Sequence, residues 1–142
     1  MKNYTAEHVF ALGYRAAADA LTAALASGFD PAGDPERTFT SVGTGEFLTM
    51  PSRVGDDAGI KILTLAPHNP DKSLPFIQGT YLLCDAQTLT PHSLVDGIAL
   101  TALRTPAVAI AAARPALRAI AAHVTGRPNV VAFGAGVQGE GL

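Results

Sequence analysis

The clearest chemical signal in this sequence is a glycine-rich segment close to its end. Gly134, Gly136 and Gly139 are spaced as G-x-G-x-x-G and follow the mainly apolar residues 129–133, which are typical of a buried strand. Glycines at this spacing permit a tight turn, let backbone N–H groups approach a pyrophosphate and bring a following helix close to the strand. The segment predicts a dinucleotide site, although glycine-rich turns also occur without a ligand. An unrelated phosphate-binding loop would need lysine, serine or threonine at its end, where this chain has Glu140.

Cysteine and histidine suggest little further chemistry. Cys84 is the only cysteine, so the chain cannot form an internal disulfide, and its place in an apolar run predicts a buried, unreactive thiol. The histidines are scattered, without a second ligand at helical spacing and without a cysteine partner; they are His8, His68, His92 and His123. The sequence therefore predicts no metal site.

Hydrophobic periodicity predicts a helix at each end of a series of strands. Apolar residues recur at spacings of three and four over 6–27, with Thr5 as the N-cap, and again over the alanine-rich 98–113. Pro115 is predicted to end the second helix, and a short helix is expected to follow up to His123. The predicted strands lie at residues 37–42, 46–50, 60–65, 77–84 and 90–95.

The connections between these strands predict two hairpins. Short turns at 43–45 and 85–88 would join neighbouring strands, whereas residues 51–59 are predicted to form a loop. A linker at 125–128 precedes the buried strand that leads into the glycine segment.

Composition and charge exclude several classes of partner. The chain of 142 residues is 48% apolar and 15% charged, which indicates a folded globular protein with part of its surface covered by another subunit or domain. The formal net charge of −2 comes without a basic stripe, which argues against nucleic acid and anionic membranes. The N-terminus lacks the pattern of a signal peptide, and no apolar run is long enough to span a bilayer. We therefore expect a soluble, cytoplasmic homodimer.

Several short segments occur in an order that resembles the ornithine cyclodeaminase/mu-crystallin family. They are Met50-Pro51, Gly59-Ile60-Lys61, Leu74-Pro75, Asp96-Gly97, Thr101-Ala102-Leu103-Arg104-Thr105 and the Gly-Ala-Gly-Val-Gln that begins at Gly134. The resemblance spans residues 5–139 and covers less than half of a typical member. It implies an α+β fold, in which residues 1–128 form a mixed-sheet substrate-binding and dimerisation domain with helices. Residues 129–142 would then be the first strand and glycine loop of a Rossmann domain.

The resemblance also implies roles for individual residues. Arg37 matches an arginine that clamps the substrate α-carboxylate, a contact for which a planar guanidinium is suited, although Arg53 is a rival candidate. Lys61 matches a catalytic lysine that contacts the substrate, and Arg104 matches an arginine close to both substrate and cofactor. The residues expected to contact NAD or NADP are Arg104, Thr105, Gly134, Gly136, Val137, Gln138 and Gly139.

In this family the implied reaction is an NAD(P)-dependent conversion of a small amino acid. Hydride leaves Cα, the imine reacts with a side-chain amine, ammonia is lost and hydride returns, so members are both oxidoreductases and lyases of amino-acid metabolism. Other members stop at imine reduction or oxidative deamination, or bind a ligand with little turnover. Because the sequence ends at Leu142, we expect a fragment that is inactive alone and binds NAD or NADP negligibly. An enzyme portion and a non-catalytic, dimerising remnant both remain open.

Overall fold

The computed structural model of this chain describes residues 1–123, 125, 126, 131, 134, 136, 137 and 139. Its strands are β1 (Lys2–Tyr4), β2 (Thr38–Val42), β3 (Gly45–Val54), β4 (Asp57–Leu65), β5 (Ile77–Asp85) and β6 (Pro91–Asp96). Its α-helices are α1 (Ala6–Phe10), α2 (Tyr14–Ala26) and α3 (Gly97–Ala121), and short 3-10 turns occur at Pro31–Gly33 and Pro70–Lys72. The strands form one sheet in the order β1-β6-β5-β4-β3-β2. Only β1 pairs in parallel, with β6, so the predicted mixed-sheet α+β fold is confirmed.

The first predicted helix is two helices. Thr5 is the N-cap, as expected, but α1 ends at Phe10 and α2 begins at Tyr14. Gly13 has a φ of 75°, a left-handed conformation that ends one helix and redirects the chain before the next. The prediction of a continuous helix was wrong because the apolar spacing continues across the break and hides it.

The predicted loop at residues 51–59 is also wrong. β3 continues to Val54 and β4 begins at Asp57, with a turn at Gly55, whose φ is 60°. Pro51 pairs with Ile60 inside this hairpin. The strand β2 pairs with β3 only as far as Thr49, so β3 has no neighbouring strand on that side at Pro51. The proline is tolerated because no backbone N–H is needed there for a hydrogen bond between strands.

Helix α3 is longer than the sequence suggests. Asp96 caps it, accepting hydrogen bonds from the N–H groups of Ile98 at 3.0 Å and Ala99 at 2.9 Å. The helix then continues through Pro106 and Pro115, so the predicted break at Pro115 was wrong. Packing against α2 offsets the lost backbone hydrogen bonds, and Arg114 at the predicted break forms an ion pair with Asp19 of α2.

Two further differences concern the ends of the chain. The short strand β1 escaped prediction, because three exposed residues carry no hydrophobic pattern. Of the strand expected at 129–133, residues 129, 130, 132 and 133 lie outside the described part of the chain.

The helices pack on one face of the sheet, which we call the covered face. Its core contains Val9, Ala99 and Leu103, packed against Val95 of β6 and Leu100 of α3. Side chains alternate between faces along a strand, so Tyr81 and Lys61, which pair across from Val95, lie on this face too. The opposite face carries Ile60, Ile62, Leu82 and Leu94, which are half-buried, and we call it the open face.

Cys84 is a buried free thiol in β5, as predicted. Within the described ranges, no helix combines the length and apolarity needed to cross a membrane.

Candidate functional site

Lys61 is the charged residue that the fold buries most deeply among those described. It lies at the middle of β4 on the covered face and is 6% exposed. Its Nζ donates a hydrogen bond of 3.4 Å to the Thr101 Oγ1 on α3, and that hydroxyl donates at 2.7 Å to the carbonyl of Gly97. Because Thr101 is held by its own helix, it fixes the position of the lysine head group.

The environment of Lys61 favours its neutral form. Burial lowers the pKa of its ammonium below 10.5, and the nearby guanidinium groups of Arg104 and Arg37 lower this pKa further. An arginine keeps its charge at any pH that a folded protein tolerates, so the repulsion does not titrate away. Lys61 therefore releases its proton more readily than a lysine in water, and more of it is present as the free amine at a given pH.

The three residues predicted to bind substrate line one cavity of about 780 Å³. Arg37 enters from the segment before β2, Lys61 from β4 and Arg104 from α3. Arg104 follows Thr101 by three residues, so both lie on the same side of the helix. We call this space the cationic cavity, after Arg37, Lys61 and Arg104.

Arg53, the rival to Arg37, lies elsewhere. It lines a neighbouring cavity of about 960 Å³, and its Nε donates to the carbonyl of Gly55 at 3.3 Å. The structure thus brings Arg37, and not Arg53, together with Lys61 and Arg104.

Tyr81 is a polar residue of this cavity that sequence reasoning missed. It pairs with Lys61 across β4 and β5, and its ring lies over Gly59. A Cβ on Gly59 would come within 2.4 Å of the Tyr81 Cε1 and 2.5 Å of its hydroxyl oxygen. Burial raises the pKa of the Tyr81 phenol above 10.0, with Asp34, Asp57 and Cys84 adding to the rise, so the hydroxyl stays a neutral donor. A glycine inside an apolar strand was the available signal, since it often marks a close approach.

Asp34 and Ser52 form a second polar pair that the sequence did not indicate. The Ser52 hydroxyl donates to the Asp34 Oδ1 at 2.8 Å, linking the segment before β2 to β3. Both residues line the cationic cavity and also the neighbouring one, so they stand where the two spaces meet. Their separation of 18 residues gave no local pattern to detect.

The residues predicted to hold the cofactor are placed in part. Gly134 has a φ of 102°, and the Gly139 N–H donates to the carbonyl of Gly136 at 2.8 Å. A Cβ on Gly139 would come within 2.7 Å of the Gly134 oxygen, so both positions suit glycine. Val137 is exposed, and Gln138 lies outside the described residues.

Thr105, the remaining cofactor candidate, follows Arg104 on α3. Its hydroxyl donates to the carbonyl of Thr101 at 2.8 Å, which leaves its oxygen free to accept a hydrogen bond. Among the residues that the structure describes, no group of three histidine, cysteine or acidic side chains is placed to hold a metal ion.

Comparison with known proteins gives consistent matches. A family model described as the ornithine cyclodeaminase/mu-crystallin family matches residues 7–140. A Delta(1)-pyrroline-2-carboxylate reductase from Burkholderia multivorans is 35% identical over 105 residues, which are 73% of this chain and 32% of that protein. An archaeal structure described as an alanine dehydrogenase dimer with bound NAD matches with a TM-score of 0.69 and 29% identity, over 80% of this chain and 36% of that one.

A third match is the structure of a lysine cyclodeaminase, described as recognising L-lysine, L-ornithine and L-2,4-diaminobutyric acid. It has a TM-score of 0.58 and 29% identity, over 80% of this chain and 38% of that one. The chain thus spans about a third of the length of the relatives that it matches.

Proposed function

The chain belongs to the ornithine cyclodeaminase/mu-crystallin family, and from that premise we propose that residues 1–128 are the substrate domain of an NAD(P)-dependent enzyme acting on a small amino acid. The reaction removes hydride from Cα to form an imine, or runs in reverse as imine reduction. The observation that carries the proposal is the convergence of Arg37, Lys61 and Arg104 on one cavity, with Lys61 buried.

Arg37 is proposed to bind the α-carboxylate. A guanidinium offers two parallel N–H donors to a carboxylate, and the permanent positive charge of the nearby Arg104 favours the same anion. No acidic partner lies within 4.0 Å of the Arg37 guanidinium among the described residues, so its donors are available to a ligand.

Lys61 is proposed to move the proton that accompanies hydride transfer. An amino acid must lose a proton from its α-ammonium group before the nitrogen lone pair can form the C=N bond as hydride leaves. A lysine whose pKa is lowered by burial and by two arginines is suited to take that proton, and Thr101 holds its Nζ in place. In imine reduction the same ammonium returns the proton to nitrogen.

The glycine segment is proposed to hold the cofactor, with residues 129–142 as the start of a Rossmann domain. Gly134, Gly136, Val137, Gln138 and Gly139 would contact the pyrophosphate, and Arg104 with Thr105 would lie on the nicotinamide side. The bound nicotinamide supplies the acceptor for the hydride that leaves Cα and the donor for its return.

The open face is proposed to bind a second copy of the chain. Ile60, Ile62, Leu82 and Leu94 are apolar but only half-buried there, which suits a homodimer interface better than a surface in water. The description of a related alanine dehydrogenase as a dimer supports this choice of partner.

The test is ligand binding by the purified 142-residue chain. Pyrrole-2-carboxylate, a stable planar analogue of a cyclic imine, is titrated and followed by calorimetry. Arg37→Ala should weaken binding by about 2–5 kcal/mol, as expected when a paired, desolvated charge is lost. Arg53→Ala is the matched control and should leave the affinity unchanged. Equal affinities for the native chain and Arg37→Ala would refute the proposed carboxylate site.

A further inference from the structure

The chain between α2 and β2 forms part of the wall of both cavities. We call residues 28–36 the strap. Three of its residues line the cationic cavity and the neighbouring cavity alike, namely Phe29, Asp34 and Pro35. Within the strap only Phe29 and Asp34 are half-buried, and the other residues are exposed. The strap is therefore a wall shared by two spaces that buries little of its own surface.

One hydrogen bond fastens the strap to the sheet. The Ser52 hydroxyl of β3 donates to the Asp34 Oδ1 at 2.8 Å. The N–H of Gly33, by contrast, donates to the Asp30 carbonyl at 3.0 Å, inside the strap itself. Among the residues that the structure describes, no other hydrogen bond or ion pair joins the strap to a strand.

The strap is locally stiff and has a permissive residue at one end. Pro31 and Pro35 fix their own φ angles, and the Asp30 side chain caps the 3-10 turn by accepting a hydrogen bond of 2.9 Å from the Ala32 N–H. Gly28, at the junction with α2, has a φ of 96°, and a Cβ there would meet nothing within 4 Å. Because glycine adopts both signs of φ at little cost, rotation at Gly28 would move the strap as one body.

The fastening point lies close to Arg37 along the chain. Ser52 belongs to the paired part of β3 and β4, so its backbone cannot follow the strap. Asp34 comes three residues before Arg37, and Thr38, the residue after Arg37, pairs with Thr49 of β3. The chain is thus held to the sheet on both sides of Arg37. Breaking the Asp34–Ser52 bond would leave it held on one side only.

We propose that the strap is a hinged cover of the cationic cavity, closed by the Asp34–Ser52 hydrogen bond. When closed, it holds Arg37 at the cavity and divides this space from the neighbouring one. When open, it joins the two spaces and lets a small carboxylate enter or leave. The inference rests on the proposed function in one respect, because the ligand whose passage the strap controls is the one that Arg37 binds.

The first experiment follows the opening of the strap without a ligand. Trypsin cleaves after Arg37, at the end of the strap, and after Lys72, in the exposed turn between β4 and β5, so one digestion of the 142-residue chain reports on both. Cleavage follows the population of the open form when opening and closing are fast. Ser52→Ala should raise the cleavage rate after Arg37 about tenfold, as expected for loss of a hydrogen bond to a charged group. The rate after Lys72 should not change.

Further variants test whether Asp34 and Ser52 act through the same bond. Asp34→Ala, alone or combined with Ser52→Ala, should give the same increase as Ser52→Ala alone, because all three variants lack that bond. Ser52→Thr keeps a hydroxyl and should stay close to the native rate. Ser27→Ala is the matched control, since the Ser27 hydroxyl donates to the Ala24 carbonyl of its own helix at 2.8 Å. Its loss should leave cleavage after Arg37 unchanged.

The second experiment measures the passage of a ligand, with pyrrole-2-carboxylate as the probe. Line shapes of its NMR signals give the association and dissociation rate constants. Ser52→Ala should raise both by about tenfold and keep Kd within about threefold, because entry and exit both pass through the open form while the closed form still predominates. A residue that only contacts the bound ligand would change Kd instead.

The outcomes separate this inference from the proposed function. If Ser52→Ala leaves cleavage after Arg37 unchanged, or raises cleavage after Lys72 equally, the bond does not hold a strap and the inference is refuted. If Kd rises while the association rate is unchanged, the pair only shapes the bound site, and the inference is also refuted. If the probe does not bind the native chain, the proposed function is wrong, and the cleavage rates alone decide whether the strap opens.

Discussion

The two faces of the sheet differ in the groups that they leave for a partner to contact. The covered face buries Lys61 and holds the half-buried Tyr81 beside a cavity, whereas the open face leaves Ile62, Leu82 and Leu94 half-buried. A folded protein normally exposes its charged groups to water and buries its large aliphatic side chains, because burying an unpaired charge is costly. The difference indicates that the two faces are suited to different binding partners. The covered face suits a charged small molecule, and the open face suits another apolar surface.

On the covered face, the backbone of α3 packs very closely against the sheet. Helix α3 begins directly against β5, where a Cβ on Gly97 would come within 2.8 Å of the Thr80 nitrogen and 2.9 Å of the Gly79 carbonyl carbon. This contact sets the height of α3 above the sheet and so the distance from Thr101 to Lys61. The close approach at Gly97 therefore helps to fix the shape of the cavity under α3.

The largest effect is expected for a charge placed on the open face. Ile62→Asp should dissociate the proposed dimer, raising its dissociation constant by about 100-fold or more, because a buried carboxylate would lack a partner. Light scattering at micromolar concentration measures the mass, and circular dichroism checks that the helices remain. Leu74→Asp introduces the same charge at an exposed leucine outside the sheet and should not change the mass.

A monomeric mass for the native chain would refute the assignment of the open face to a second copy. A dimer that survives in Ile62→Asp would show instead that the interface lies on another surface.

A slightly smaller effect is expected where α3 meets the covered face. Gly97→Ala should lower the free energy of unfolding by about 2–3 kcal/mol. The new methyl group would meet the backbone of β5, so α3 and β5 would have to move apart, whereas a side chain could simply rotate. Gly33→Ala is the control, since nothing lies within 4 Å of a Cβ there and its φ is not left-handed. Urea unfolding of both variants measures the difference. Equal stabilities would mean that α3 can move away from the sheet at little cost.

The sequence predicted the fold more fully than the site. Alternating and helical patterns located five of the strands and both helical regions, and the order of short motifs indicated the family. The errors at Gly13, Pro51 and Pro115 have different causes. Apolar spacing along the sequence hid the break at Gly13, an unpaired side of β3 tolerates Pro51, and packing against α2 lets α3 continue through Pro115.

Sequence reasoning selected only part of the candidate site. Arg37, Lys61 and Arg104 were indicated by family resemblance, and the structure places them at one cavity. Asp34, Ser52 and Tyr81 come together through strand register and a close approach over Gly59, neither of which leaves a pattern along the chain. Residues 129, 130, 132, 133 and 138 of the glycine region lie outside the described part.

A moderate effect is expected when the Tyr81 ring loses its place over Gly59. Gly59→Ala should lower the free energy of unfolding by about 1 kcal/mol or less. The new methyl group would meet only the outer atoms of the Tyr81 ring, which can rotate away. In a Tyr81→Val background the same substitution should cost nothing, since no ring remains to be displaced. A double-mutant cycle by urea unfolding measures this coupling. Equal costs in the two backgrounds would contradict the placement of the ring.

The smallest effect on stability is expected from the buried charge of Lys61, and this effect should depend on pH. Lys61 has a pKa lowered below the 10.5 of an unfolded lysine, chiefly by burial and then by Arg104 and Arg37. Between the folded and unfolded values the unfolded chain binds more protons, so the free energy of unfolding rises with pH in that interval. Below the folded value the full cost of the buried ammonium is present.

Lys61→Met keeps the apolar stem and removes that cost, so it should be more stable than the native chain at pH 7. Its advantage should shrink as the pH rises toward 10.5, because the native lysine then loses its proton. Unfolding is measured from pH 7 to 10, where Tyr81 is present in both chains and its ionisation cancels in the comparison. A constant advantage would mean that packing, not charge, separates the two. A less stable Lys61→Met at pH 7 would show that the hydrogen bond of the lysine to Thr101 stabilises the fold by more than the burial of its charge destabilises it. The buried lysine would then be a net source of stability on the covered face.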